Sequence, residues 1–177
     1  MPEGYAIQAI QSVLNSQQAY CKFLSANDSG ATGGHQSGIL ISKSAKNMMF
    51  SQDLKGENIL KRTVEIRWQD NSCTQSSFTY YSSKNELRIT RFGRNFSFLN
   101  PEQTGALFVF TKQDVNQYSG FFLETEEDIN QFLDAFGISP TETNRLIDAG
   151  QVQEETQERI AIQEFIAGLT VDFPLSE

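Results

Sequence analysis

Cysteine and histidine are scarce in this chain: 177 residues hold two cysteines, Cys21 and Cys73, and one histidine, His35. Two thiols cannot supply a disulfide framework or a four-thiolate zinc site, and one imidazole excludes any centre that needs two. Both thiols are expected to be reduced and buried, as in a cytoplasmic bacterial protein. Long apolar runs are also missing. The longest, at 105–110 and 120–123, fall far short of the roughly 20 residues that cross a bilayer, and no basic-then-apolar leader opens the chain. A membrane or secreted protein is therefore not expected.

Positive charge is in deficit, with 14 Lys+Arg against 22 Asp+Glu and a formal net charge of −8. Taken whole, that balance argues against a polyanion as partner. Resolved along the chain, the deficit is local: residues 1–100 carry 11 Lys+Arg against 7 Asp+Glu (+4), and residues 101–177 carry 3 against 15 (−12). Such asymmetry fits a polyanion-binding face backed by an acidic surface directed elsewhere; it also fits an acidic helical region that is only solvated. Size and composition, 38% hydrophobic and 20% charged, are those of one globular domain with a real core.

Residues 2–24 place Ile7, Ile10, Val13, Leu14, Tyr20, Cys21 and Leu24 near a 3.6 period, which predicts one amphipathic helix. Residues 25–38 hold four glycines among small polar residues and sustain neither period, so they are expected to form a long functional loop. Strands are expected at 39–41, 60–69, 77–82, 106–111 and 120–123, with a helical turn at 44–50. Val64, Ile66 and Trp68 alternate with Glu65 and Arg67, so one face is buried and the other wet. Helical spacing returns at 126–136, 140–149 and 154–169, with Gly137 and Gly150 as stops. The predicted class is α+β, with six or seven strands between helices.

If 85–91 is extended, Lys84, Glu86, Arg88 and Thr90 share one face while Leu87 and Ile89 take the other. An arginine fork matches guanine and a glutamate accepts from the cytosine amino group, so this row can read G·C pairs in a major groove. Arg91 and Arg94, around the Phe92-Gly93 turn, suit phosphates. A solvated strand face with a weak ion-pair ladder is the plain alternative. The glycine-rich loop offers Asn27, Asp28, Thr32, His35 and Gln36 on a backbone able to approach a ligand closely; a surface connection is its plain alternative. It lacks the spacing and lysine of a P-loop.

Enzyme readings use the same residues. Asp70 with Glu86-Leu87-Arg88 is the nearest approach to a Mg-dependent nuclease set, but arginine stands at the lysine position. His35 has no convincing nucleophile, since Cys21 is expected on a buried helix face and Ser25 and Ser37 carry no elbow motif. Glu124, Glu126, Glu127 and Asp128 fall at a helix start, where carboxylates favour the dipole without any cation.

LSANDSGATGGHQSG (24–38), NELRITRFGR (85–94) and PEQTGAL (101–107), in that order, resemble the N-terminal effector domain of EcoRII-type (type IIE) restriction endonucleases over about residues 20–125. The resemblance implies a DNA-binding pseudobarrel, a seven-stranded open β-barrel with flanking helices, whose two arms grip the major groove. It implies a first arm with Lys22, Ser25, Asn27, Asp28, Thr32, His35 and Gln36 at or near DNA. The second arm would carry Lys84, Asn85, Glu86, Arg88, Arg91 and Arg94, with Glu86 and Arg88 at the positions most critical in the family. Two residues depart from its pattern: Leu87 stands where the family carries lysine, which puts one contact in question, and Phe92 where it carries tryptophan, a milder change in the same aromatic role. In the family, such a domain binds a second copy of the recognition sequence and controls a separate C-terminal nuclease domain. The resemblance therefore implies double-stranded DNA and that nuclease domain as partners, with no membrane and no catalytic residue here. It further implies no cofactor in this domain, Mg2+ belonging to the nuclease, and 5′-CCWGG-3′ (W is A or T) as target, bound by one monomer. The domain division expected is an effector domain at 1–170, its barrel at about 20–125 and acidic helices at about 126–169, then the start of a linker at 171–177. A stand-alone transcription regulator of the same fold stays open.

Overall fold

Strand alternation and aromatic side chains build most of the molecule. The computed structural model describes residues 4–30, 38–51, 59–93, 96–148, 161, 162 and 165. In chain order the elements are α1 (Ala6–Leu14), β1 (Gln18–Phe23), α2 (Ala26–Ser29), β2 (Ile39–Ile41), α3 (Lys46–Met49), β3 (Leu60–Trp68), β4 (Cys73–Tyr81), β5 (Glu86–Thr90), β6 (Leu107–Asp114), β7 (Gln117–Leu123), α4 (Glu126–Phe136) and β8 (Arg145–Leu146). Eight strands form one mixed sheet in the order β2-β5-β4-β3-β7-β6-β1-β8, with β3 and β7 parallel. The sheet curls into an open barrel of the kind expected, the two-residue β8 being the strand beyond seven.

Alternation on β3 sends Val64, Ile66 and Trp68 inward, as the sequence indicates, and Lys61, Thr63 and Arg67 outward. Inside the barrel, Phe78 of β4 meets Tyr118 of β7 edge-on at 4.8 Å and Phe110 of β6 at 5.7 Å. Trp68 stacks on Phe122 at 5.4 Å. Each such ring contributes about 1.5–3 kcal/mol by leaving water. Gly120 makes room for the indole, since a Cβ there would lie 2.4 Å from Trp68 Cζ3. A second core lies outside the barrel wall. There α1 and α4 lay Ile10, Val13, Phe132 and Phe136 on Cys21, Leu107, Val109 and Phe121, so β1, β6 and β7 are apolar on both faces.

That double burial corrects the long N-terminal helix. The helix ends at Leu14, and Gln17 N–H donates to Lys112 O at 2.9 Å to open the β1 ladder. Ala19 through Cys21 are all buried, which erases the period of two and leaves an apolar run that reads equally as helix. The helix expected at 140–149 is also absent: a 3-10 turn at Pro140–Glu142 and a left-handed Asn144 (φ 65°) lead into β8. Cys21 is buried on β1, where burial pushes its thiol up to about 12. Cys73 is exposed at the start of β4, against expectation. The helix at 126–136 forms as read, capped by Thr125 Oγ1 accepting from Asp128 N–H at 3.1 Å. The helix expected at 154–169 (apart from residues 161, 162 and 165, which lie in helix) and the tail at 171–177 lie outside the described residues.

The strand order starts at β2 and ends at β8, so backbone pairing leaves a seam. Side chains bridge it. Tyr20 Oη, on β1, accepts from Ser42 N–H at 3.1 Å and donates to Asn144 Oδ1.

Candidate functional site

The β4–β5 hairpin carries the residues expected for the second arm. Lys84 and Asn85 lie exposed in its turn, with Asn85 left-handed at φ 54° and its Oδ1 accepting from Tyr80 Oη at 2.7 Å. Lys84 is thus in the turn and not in the strand row with Glu86, a correction that follows from the four-residue connection between the paired Tyr81 and Glu86. Glu86, Arg88 and Thr90 do share the outward face. Leu87 and Ile89 are fully buried on the other, so the departure at Leu87 falls on a core position. Arg88 Nε and Nη2 donate to Glu86 Oε2 at 3.3 and 3.2 Å, the two side chains being 8% and 31% exposed. A planar donor fork is thereby held against a half-exposed acceptor. Arg91 follows, exposed and left-handed at φ 64°, with its carbonyl accepting from Ser76 Oγ at 3.0 Å. Phe92 anchors this turn against Trp68 at 5.9 Å. Arg94 lies outside the described residues.

The segment expected to form the first arm starts in α2, whose N-terminus is a capping box: Asp28 N–H donates to Ser25 Oγ at 3.1 Å, and Ser25 N–H to Asp28 Oδ2 at 3.0 Å. Ser25 and Asn27 are exposed. Asp28 and Lys22, expected at the ligand, are instead buried against each other, with Nζ 2.7 Å from Oδ2. The cause is local: the capping box turns the carboxylate inward, where the lysine on β1 meets it. Ser29 Oγ and Thr104 Oγ1 at 2.5 Å tie α2 to the turn after Pro101–Gln103, giving the PEQTGAL segment a scaffolding role. Thr32, His35 and Gln36 lie outside the described residues.

The α2 segment and the β4–β5 hairpin are joined through β2. Its residues Ile39, Leu40 and Ile41 pair with Ile89, Arg88 and Leu87 of β5. Beyond Arg88 the register continues to Thr79 on β4 and Lys61 on β3. Lys61, Ser77, Thr79, Tyr81, Thr90 and Arg91 line part of a groove of about 620 Å³ along this face. Lys61, Thr79 and Tyr81 were not among the residues singled out from sequence. Strand register brings them beside Arg88, and only the outward phase of β3 and β4 hinted at it.

The nuclease set does not assemble. Asp70 sits in the β3–β4 turn, where Ser72 N–H and Oγ donate to its Oδ1 at 3.0 and 2.5 Å and hold the carboxyl below the usual carboxylate range. Glu86 pairs with Tyr81 at the other end of β4, about 27 Å away for a nine-residue strand at ~3.4 Å per residue. One ion cannot bridge them. Among the described residues no group of three or more His, Cys, Asp or Glu side chains is placed to hold a metal. The acidic start of α4 is explained by its cap and dipole and by Asp128 Oδ2 accepting from Tyr5 N–H at 3.1 Å.

Residues 13–142 match the family described as restriction endonuclease EcoRII, N-terminal. Type II restriction enzyme EcoRII of Escherichia coli is 35% identical over 99 residues, covering 50% of this chain and 24% of the relative, so the chain spans about a quarter of that protein. The crystal structure of the UbaLAI restriction endonuclease B3 domain with cognate DNA superposes with a TM-score of 0.51 at 18% identity, over 81% of this chain and 94% of that one. At that identity the likeness is one of fold, the B3-like pseudobarrel. No helix among the described residues is long and apolar enough to cross a membrane.

Proposed function

The chain belongs to the EcoRII N-terminal family, and on that premise we propose that it is a sequence-specific double-stranded DNA-binding domain, the effector of a restriction endonuclease. The observation that carries the reading is the pairing of Leu40 with Arg88, which sets the arm containing Ser25 and Asn27 beside the Glu86–Arg88 pair. In a major groove, the Arg88 fork fits guanine O6 and N7, and Glu86 accepts from cytosine N4. Lys84 and Arg91, exposed at the two ends of β5, neutralise phosphates and fix the register, together with Arg94 of the same motif. His35, Gln36 and Thr32 belong to the first arm.

The target is 5′-CCWGG-3′, whose outer G·C pairs suit an arginine and a glutamate. One monomer binds it, without metal. Cleavage and its Mg2+ belong to a separate nuclease domain of a longer chain. A gel-shift titration tests this with a duplex carrying one CCWGG site and the same duplex with one G·C pair changed, at two salt concentrations, without and with Mg2+. The expected result is site-dependent, salt-sensitive retardation with no cutting. Equal binding to both duplexes would overturn the specificity, and cutting by this chain alone would overturn the placement of catalysis elsewhere.

A further inference from the structure

Leu40 sits on an edge strand. One side of β2 pairs with β5, and the N–H and C=O of Leu40 turn the other way, where an unpaired edge would need water or another partner. Two charged side chains take them: Leu40 N–H donates to Asp28 Oδ1 at 3.0 Å, and Lys22 Nζ donates to Leu40 O at 2.8 Å. Asp28 also accepts from Ser25 N–H at 3.0 Å and holds Lys22 at 2.7 Å. The Lys22 and Asp28 side chains are 9% and 1% exposed. A pair this buried contributes little net stability over an apolar replacement, and its best attested use is to fix register. Nor is either group presented to an anion, since the lysine is spent on the carboxylate and the Leu40 carbonyl.

We infer that Lys22 and Asp28 form a latch that positions the two DNA arms against each other, an inference resting on the DNA-binding reading above. The latch joins α2, with exposed Ser25 and Asn27, to Leu40, and Leu40 is the β5 partner of Arg88. A one-residue slip of β2 would break both contacts at once and turn Leu40 to the opposite face. Lys22 and Asp28 are thus positioning residues: they set which base pairs the arms reach together and add no phosphate contact.

The test uses Lys22→Met, Asp28→Asn, the K22M/D28N double variant and Lys22→Arg. The double variant leaves no unpaired buried charge and is the one most secure in fold, checked by Trp68 fluorescence and thermal unfolding. The ratio of affinities for the preferred duplex and for the same duplex with one G·C pair changed should fall about tenfold in the first three, within the usual range for coupling between sites. Lys22→Arg, which keeps the charge, should retain the ratio. The salt slope of binding to an unrelated duplex should not move, whereas a lysine on a phosphate would reduce it by about one on removal. Amide exchange of Leu40 in the free protein should accelerate in the double variant. An unchanged ratio overturns the proposal whatever the exchange shows, and a reduced salt slope overturns it in favour of direct contact. Should the wild-type protein discriminate between no duplexes, the DNA reading fails, and Leu40 exchange still decides whether the pair pins β2 to α2.

Discussion

Arg88→Lys separates reading from charge. The arginine side chain is 8% exposed, and two of its N–H groups rest on one oxygen of Glu86. Lysine keeps the stem and the charge but loses the planar fork. Glu86, 31% exposed, can hydrate, so the fold should be little affected. A bidentate contact to guanine is worth about 1–3 kcal/mol of discrimination, roughly 5- to 150-fold at 1.4 kcal/mol per decade. Fluorescence anisotropy should show that loss on the preferred duplex and none on an unrelated one, with an unchanged salt slope, because Glu86 already offsets the charge. Equal weakening on both duplexes would make Arg88 a phosphate contact. Undiminished preference would remove it from readout altogether.

Gly120→Ala should destabilise the fold by about 1–3 kcal/mol as the new Cβ displaces the Trp68 ring from its aromatic box, 2.4 Å being far inside contact distance. At ~2–4 °C per kcal/mol for a chain of this size, melting followed by the fluorescence of the single tryptophan should drop by roughly 2–12 °C, and an unchanged melt would mean the box is loose. Native protein should react with one equivalent of a thiol reagent, at exposed Cys73; Cys21, fully buried with its pKa pushed up to about 12, should react only after unfolding, and two fast equivalents would contradict its placement. Tyr20→Phe should cost about 1–3 kcal/mol by stranding Ser42 N–H at the seam, with denaturant unfolding as the measure; wild-type stability would mean water replaces the hydroxyl freely.

What the sequence conveyed depended on whether one face of an element was wet. β3 and β5, polar on one side, showed their phase, so Val64, Ile66 and Trp68 inward and Glu86 with Arg88 outward were readable from alternation. β1, covered on both sides, showed none and passed for the end of a helix. The two-residue β8 depends on a left-handed Asn144 and a partner more than a hundred residues away, which no local window contains. Site residues divided in the same way. Arg88 could be placed on a face from its neighbours in sequence, but Lys22 and Asp28 look like exposed polar residues until β1, α2 and β2 are brought together.

The charge asymmetry becomes intelligible only in the folded molecule. Outward positions of β3 to β5 carry Lys61, Arg67 and Arg88 against Glu65 and Glu86. The acidic side chains of α4, at Glu126, Glu127, Asp128 and Asp134, belong instead to the helical coat over β1, β6 and β7. Phe78 meeting Phe110 and Tyr118 places those two walls on opposite sides of the barrel interior. An interior about 10 Å across and a helix layer of 8–10 Å then separate the coat from the polar face. At physiological ionic strength the Debye length is ~8 Å, so the acidic charge of α4 is largely screened from an anion approaching β5; at 0.01 M it is ~30 Å, and the coat is felt across the molecule. The logarithm of DNA affinity should therefore fall linearly with log salt near 0.1–0.2 M and flatten at low salt, below the counterion-release line. Replacing Glu126 and Glu127 by glutamine should straighten the low-salt limb and leave the rest unmoved. A plot already straight in the wild type would mean that the acidic helix does not act on the bound DNA at all.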